Sequence, residues 1–119
     1  MSAGFSIGNK VFWGSNGAVE SYIEVMAAKA AERFGPDDPL AVFLRDEREQ
    51  FYMGKVVFLD DWAADISRRR QFFELLDAAT SQLLHSGLFN DCGREWVASV
   101  IAELRTCLVD EDALKRDTS

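Results

Sequence analysis

The sequence predicts an α+β fold: a small two-layer domain with a short, mainly antiparallel sheet of two to four strands covered by three main helices. Two short segments have the character of strands, and three longer segments repeat apolar residues at helical spacing. A length of 119 residues with 48% hydrophobic content is enough for one buried core. We therefore expect residues 1–119 to form a single globular domain, with the charged residues 110–119 as a frayed tail.

The first segment with strand character is residues 5–13, where apolar side chains alternate with small or polar ones. This alternation is typical of a strand with one apolar face. Gly8-Asn9 in its middle is a signal for a bulge or for a tight hairpin turn. We interpret the segment as one strand with a kink at Gly8.

The first helix is predicted over residues 18–34. Ser15 or Asn16, in the short turn before it, can accept the free N–H groups of its first turn. Gly35-Pro36 ends it, because glycine suits the position after a helix and proline cannot continue one.

Residues 39–52 allow two interpretations. Pro39 directly after Asp38 is a signal for a helix start. The apolar run that begins at Leu40 is equally consistent with a strand, paired in a hairpin with a second strand that begins near Phe51. Since two strands alone make a marginal sheet, we favour the hairpin.

Residues 56–59 form an unbroken apolar run with two valines, typical of a strand that is covered on both faces or lies inside a sheet. A long helix is predicted to follow, with Asp60 as its cap and Gly87 just past its end. Arg69 falls on the apolar stripe of that helix. We favour a continuous helix in which Asp65 pairs with Arg69; the alternative is a separate first turn and a new helix capped by Ser67.

The last helix is predicted to begin after Asn90 or Asp91, either of which can cap it. Its apolar face repeats at spacings of three and four residues. That face consists of Val97, Val100, Ile101, Leu104 and Leu108.

The charge of the chain restricts its partners. A net charge of −7 argues against nucleic acid and against anionic membranes, both of which require clustered Lys and Arg. We expect a cytoplasmic location, because the sequence has no export signal and no apolar run that would span a bilayer. Cys92 and Cys107 are then expected to be free thiols.

Four short patterns could in principle carry chemistry: a phosphate-binding turn at residues 14–17, a metal site at Asp60-Asp61, a nucleophilic pair of Cys92 with His85, and an anion-binding cluster at residues 68–70. Each has a simpler explanation as a turn, a helix cap or an internal ion pair. We therefore assign no catalytic residue, no metal and no cofactor, and we do not expect an enzyme.

The remaining feature is the combination of aromatic side chains with adjacent acidic ones, which suits an interface with a basic protein. The candidate partner-binding residues are Asp46, Glu47, Glu49, Tyr52, Asp60, Asp61 and Trp62. The sequence thus favours a small acidic protein-binding domain, such as an inhibitor or neutralising partner of the immunity or antitoxin kind. The alternatives are a small-molecule-binding or enzymatic domain with a pocket near Trp13, Asp60 and Cys92, and a homodimeric structural subunit.

Overall fold

A computed structural model describes residues 2–8 and 10–109, and within them strands and helices form the α+β fold that the sequence predicts. The predicted tail at residues 110–119 lies outside the described residues. The elements are β1 (Ser2–Ile7), β2 (Lys10–Ser15), α1 (Asn16–Phe34), α2 (Pro39–Glu49), β3 (Val56–Phe58), α3 (Asp60–Ala64), α4 (Ile66–Ser86), α5 (Asp91–Trp96), a π-helical turn (Val97–Ile101) and α6 (Ala102–Val109).

The sheet has three strands in the order β2-β1-β3. β1 and β2 form an antiparallel hairpin, whereas β1 and β3 run parallel. The prediction of a single kinked strand was therefore wrong. The chain reverses next to Gly8, whose φ of +61° is a conformation that glycine adopts without strain.

β3 lies at one edge of the sheet, and β1 is the central strand. The expectation that residues 56–59 are covered on both faces was also wrong. Val57 and Leu59 are buried, but Phe58 is 65% exposed. Because the apolar run continues on both faces of the strand, the sequence alone does not show which face is open.

Residues 39–49 form helix α2, so the hairpin that we favoured there does not exist. The carboxylate of Asp38 accepts a hydrogen bond from the Leu40 N–H at 3.0 Å, and Pro39 occupies the first helical position. The sequence favoured the hairpin because β3 needs a neighbouring strand. That neighbour is β1, about 50 residues earlier in the chain.

The helix after β3 is interrupted at Asp65, whose extended backbone separates α3 from α4. The carboxylate of Asp65 accepts from the Arg68 N–H at 3.0 Å and so caps α4. The guanidinium of Arg69 turns back and donates to the Ala63 carbonyl, with its Nε at 2.7 Å. The continuous helix was therefore wrong. The alternative prediction of a separate first turn followed by a new helix is closer to the structure, although Asp65 and not Ser67 caps that helix.

The other predicted helix ends agree with the structure. Ser15 caps α1 by accepting from the Ala18 N–H, Asn90 caps α5 through the Gly93 N–H, and Gly87 adopts the left-handed conformation after α4. Asp60, however, is the first residue of α3 and does not cap it.

The core lies between one face of the sheet and the helices. Ala3, Phe5, Phe12 and Val57 contribute the strand side of this core and are at most 2% exposed. The helices contribute Tyr22, Ile23, Met26, Leu40, Leu44, Phe72, Leu75, Leu76, Ile101 and Leu104. None of the helices in the described part of the chain combines the length and apolar character needed to cross a bilayer.

Candidate functional site

A cleft of about 610 Å³ opens where the β2-to-α1 turn meets the start of α5. Such a volume falls within the usual range for small-molecule pockets. The residues that line it are Ser15, Gly17, Ala18, Ser21, Leu88, Phe89, Asn90, Cys92, Gly93 and Trp96. The cleft therefore brings together Ser15 and Gly17, from the turn that could in principle bind phosphate, and the exposed Cys92.

The cleft does not bring Cys92 together with the base that was considered for it. His85 does not line the cleft, and its Nδ1 donates to the Ser81 carbonyl at 2.7 Å. The lining residues include no carboxylate and no histidine. A nucleophilic pair of Cys92 with His85 has no support from this geometry.

Asp60 lies at the opposite end of the sheet. Its carboxylate accepts a hydrogen bond from the Gly8 N–H at 2.7 Å, beside the turn between β1 and β2. The cleft begins at Ser15, five residues along β2 from Lys10, which corresponds to about 17 Å of strand. The residues that line the cleft at Cys92 therefore include neither Asp60 nor Trp13. Within the described residues, no group of three His, Cys, Asp or Glu side chains could hold a metal ion.

Two of the three consecutive arginines are engaged within the fold. Arg68 pairs with Asp38 at 2.9 Å and also donates to Gln71, while Arg69 bonds the Ala63 carbonyl. The sequence predicted Asp65 as the partner of Arg69, whereas in the structure Arg69 donates to the Ala63 carbonyl. Only Arg70 remains exposed without a described partner, so the three do not form a common anion site.

The second surface is the sheet face opposite the core, which we call the open face. The pairing registers place Gly4, Trp13 and Val56 side by side, followed by a second row of Ser6, Val11 and Phe58. Side chains of residues paired across neighbouring strands lie on the same face of a sheet. The residues of the open face are Ser2, Gly4, Ser6, Val11, Trp13, Ser15, Val56 and Phe58.

No described element covers the apolar part of the open face. Val11, Trp13, Val56 and Phe58 are absent from the core and from the hydrophobic residues that pack on it. Trp13 is 50% exposed and Phe58 is 65% exposed. Large apolar side chains grouped on an uncovered surface are typical of interaction sites.

The sequence analysis did not predict the open face, although the alternation of apolar residues along the strands indicates it. Alternation along β2 and β3 places Val11, Trp13, Val56 and Phe58 on a common face once the registers are known. Since the opposite face is also apolar, alternation alone does not identify the solvent side.

The predicted partner-binding residues fall into two groups. Asp46, Glu49, Tyr52, Asp60 and Asp61 are exposed. They lie in the chain on either side of β3: three come from the end of α2 and the loop that follows, and two come from the start of α3. They are therefore close to β3 in the chain, and Asp60 is also close to β1 in space, because it accepts from the Gly8 N–H.

Glu47 and Trp62 are engaged inside the fold. Glu47 forms an ion pair with Lys55, and the two side chains are only 20% and 11% exposed. Trp62 is half-buried; it contacts the ring of Phe43, with centroids 5.2 Å apart, and the guanidinium of Arg68 lies over it. We therefore place neither residue on the candidate surface.

The charges around the sheet are unbalanced. Lys10 of β2 pairs with Glu103 at 2.7 Å, and Lys55, next to β3, pairs with Glu47. Both lysines at the sheet are thus neutralised, whereas Asp61 and Glu49 have no described basic partner. These two exposed carboxylates therefore contribute to the net charge of −7.

Comparisons with known proteins add no assignment. No family model matches the chain, and no match was found among curated proteins or solved structures.

Proposed function

We propose that this chain is a protein-binding domain, without catalysis, that contacts a basic partner through the open face and the exposed acidic residues beside β3. The observation that carries the proposal is the uncovered cluster of Val11, Trp13, Val56 and Phe58. Large apolar side chains that share one uncovered face are more typical of an interaction site than single exposed ones.

Trp13 and Phe58 are the expected anchors of the interface. Aromatic side chains dominate binding energy at protein interfaces, because they bury a large area with few rotatable bonds. Both belong to strands of a hydrogen-bonded sheet, and the Trp13 carbonyl also accepts from the Trp96 indole N–H at 2.6 Å. Their backbones are therefore held in place before a partner arrives, which limits the entropy lost on binding.

The acidic residues supply selectivity for a basic partner. Asp46 and Glu49 precede β3 in the chain, and Asp60 and Asp61 follow it. Exposed carboxylates accelerate association with a positively charged protein and disfavour acidic ones. A neutralising or inhibitory role, in the cytoplasm, follows from covering the functional surface of such a partner.

The proposal is tested by capture from a cell extract at low salt, identification of the bound protein, and titration of that purified protein. We expect a basic partner whose affinity falls at least tenfold in the Trp13→Ala, Phe58→Ala double variant. The matched control is Leu88→Ala with Ile66→Ala, two exposed apolar residues outside the open face. Equal affinities of the two double variants would refute the proposal.

The charge requirement is tested separately by charge reversal. Glu49→Lys with Asp61→Lys should slow association strongly at 50 mM salt and much less at 500 mM, because salt screens exposed charges. Glu32→Lys with Glu74→Lys changes the net charge equally, on exposed positions of α1 and α4. If this control slows association as much as the first pair, only the overall charge matters, and the assignment of a site beside β3 is wrong.

A further inference from the structure

The cleft between the starts of α1 and α5 carries no charged side chain among the ten described residues that line it. Charged residues make up 28% of the chain, so a surface of this size would ordinarily include some. Its volume of about 610 Å³ is sufficient for a small organic molecule. The uncharged lining favours a neutral ligand, because a charged group placed there would lose hydration without gaining a counter-ion.

One wall of the cleft is aromatic. The rings of Phe89 and Trp96 contact each other, with centroids 6.4 Å apart and planes at 64°, and Trp96 lies edge-on to the buried ring of Tyr22 at 5.6 Å. Leu88 also lines the cleft and is 71% exposed, so a ligand would cover it. A flat, apolar ligand suits this wall, because aromatic rings pack in edge-to-face or offset arrangements.

The two rings are held in place by the protein itself. The Trp96 indole N–H donates to the Trp13 carbonyl at 2.6 Å, and a Cβ at position 14 would lie only 2.5 Å from the indole. A Cβ at position 93 would lie 3.1 Å from the Cβ of Phe89. Glycine at these two positions leaves the room that the rings occupy. The wall is therefore formed before a ligand arrives, which limits the cost of ordering it.

The helix that carries Trp96 changes its geometry directly after this residue. Val97–Ile101 form a π-helical turn, and the extra residue of such a turn rotates the side chains before it by about 100° relative to those after it. In this way Trp96 lies against position 14, while Ile101 and Leu104 stay in the core. Turns of this kind are frequent at functional sites, and this one orients a residue of the cleft.

The polar groups of the cleft suit a neutral hydrogen-bonding group better than an anion. Ser15 accepts from the Ala18 N–H at 3.1 Å and Asn90 accepts from the Gly93 N–H at 2.9 Å, so one N–H at each helix start is already taken by its own cap. With no Lys or Arg in the lining, an anion would have no counter-charge there. The Ser15 hydroxyl hydrogen and the Asn90 amide hydrogens take no part in these two bonds and can donate to a ligand.

We propose that this cleft binds a neutral, flat aromatic molecule that carries a hydrogen-bond acceptor such as a carboxamide. The aromatic wall holds the ring system, and Ser15 and Asn90 donate to the acceptor. The inference goes beyond the proposed function and does not depend on a basic partner.

Three probes of the same ring system test the inference: naphthamide is neutral, naphthoate is an anion and naphthylmethylamine is a cation. We expect naphthamide to bind at least tenfold more tightly than either charged probe in calorimetric titration. Its amide chemical-shift changes should map to residues 15–21 and 88–96. Bound naphthamide should also slow the alkylation of the exposed Cys92 by iodoacetamide, measured in a Cys107→Ser background.

Gly17→Phe fills the cleft. A Cβ at position 17 meets no atom within 4 Å, so the new ring enters the cleft without a clash at its base. This variant should weaken naphthamide binding at least tenfold. The matched control, Ala102→Phe, adds the same ring at an exposed position of α6 outside the cleft and should leave binding unchanged. Urea unfolding shows whether each variant remains folded.

A second variant tests the charge of the lining and takes the place of Gly17→Phe if that protein does not fold. Ala18→Lys supplies a counter-charge for an anion and should shift the preference from naphthamide toward naphthoate. A preference that stays as in the wild type would count against binding in this cleft.

No binding of naphthamide, equal binding of the three probes, or a wild-type preference for a charged probe would overturn the inference. Chemical-shift changes confined to the open face would do the same. The proposed function is tested apart from this, since it depends on Trp13 and Phe58 and on a basic protein.

Discussion

A side chain at position 4 would point into space that strand β2 already occupies. We expect Gly4→Ala to lower the free energy of unfolding by about 1–3 kcal/mol, the usual cost of overpacking, because its Cβ would meet the Phe12 carbonyl at 2.8 Å. Gly17→Ala is the matched control. A Cβ at position 17, in the first turn of α1, would meet no atom within 4 Å, and alanine is the better helix former. Urea unfolding of both variants checks the contrast, and equal stabilities would contradict it.

Asp38 links the start of α2 to α4 through its hydrogen bonds with the Leu40 N–H and Arg68. Burial by itself would raise the pKa of this carboxyl, but the hydrogen bonds from Arg68 and Leu40 outweigh it and lower the pKa from its ordinary value of 3.8. The ionised carboxylate therefore stabilises the folded state. This contribution is fully present above about pH 5 and is lost as the pH falls through the folded-state pKa.

Asp38→Asn isolates this charge effect, because asparagine caps a helix nearly as well as aspartate. We expect it to lower the free energy of unfolding by up to about 1 kcal/mol at pH 7 and to flatten the decline in stability between about pH 5 and pH 2. Asp37→Asn, at the exposed neighbouring position, should keep the wild-type pH profile. Urea unfolding across this pH range is the measurement. An unchanged profile in Asp38→Asn would disprove the role of this pair.

At the scale of elements, the ion pair of Glu47 and Lys55 joins α2 to the start of β3. Removing one partner leaves the other charge in a poorly hydrated position. We expect Glu47→Ala to cost about 3 kcal/mol, at the lower end of the range for buried pairs, since Lys55 is still 11% exposed. Loss of partner binding in this variant would then reflect a damaged β3 and not a lost contact.

The double variant Glu47→Leu with Lys55→Met separates the ion pair from packing. Because apolar replacements remove both charges together, we expect it to be markedly more stable than Glu47→Ala. A double-mutant cycle by urea unfolding should give a clear coupling energy between the two positions. Strictly additive effects of the single changes would show that the two charges do not interact.

Local signals in the sequence were sufficient to predict where several helices begin and end. They were insufficient to predict structure that depends on contacts between residues far apart in the chain. Gly87 was predicted correctly, and Ser15 and Asn90 were each one of the two caps predicted for their helix, because a cap depends on its own few neighbours. Asp38-Pro39 was an equally good local signal. It was outweighed by the need to find β3 a partner, and the true pairing with β1 joins residues about 50 positions apart. The break before α4 was missed for a related reason, since Arg69 bonds Ala63 across it.

At the scale of the whole molecule, the net charge was readable from the sequence, whereas the distribution of free charge was not. Glu47 was expected on the surface and is paired with Lys55, while Asp61 remains exposed. The open face depends on two strand registers and on which face the helices cover. These are properties of the assembled domain, and the exposure of Trp13 and Phe58 could not be read from their positions in the sequence.

The small area of the open face and the net charge of the chain also determine whether it self-associates. The open face exposes Trp13 and Phe58, but its footprint of about 240 Å² is well below the roughly 800 Å² per partner of a stable interface. Each copy carries a net charge of −7, so self-association is also opposed by repulsion. We therefore expect a monomer of 13.4 kDa in sedimentation equilibrium up to about 100 µM at 150 mM salt, the range in which exposed charges still repel. Phe58→Asp should leave this mass unchanged. A wild-type mass near twice that value, reduced by Phe58→Asp, would instead make the open face a dimer interface and would contradict the proposal that a basic partner binds there.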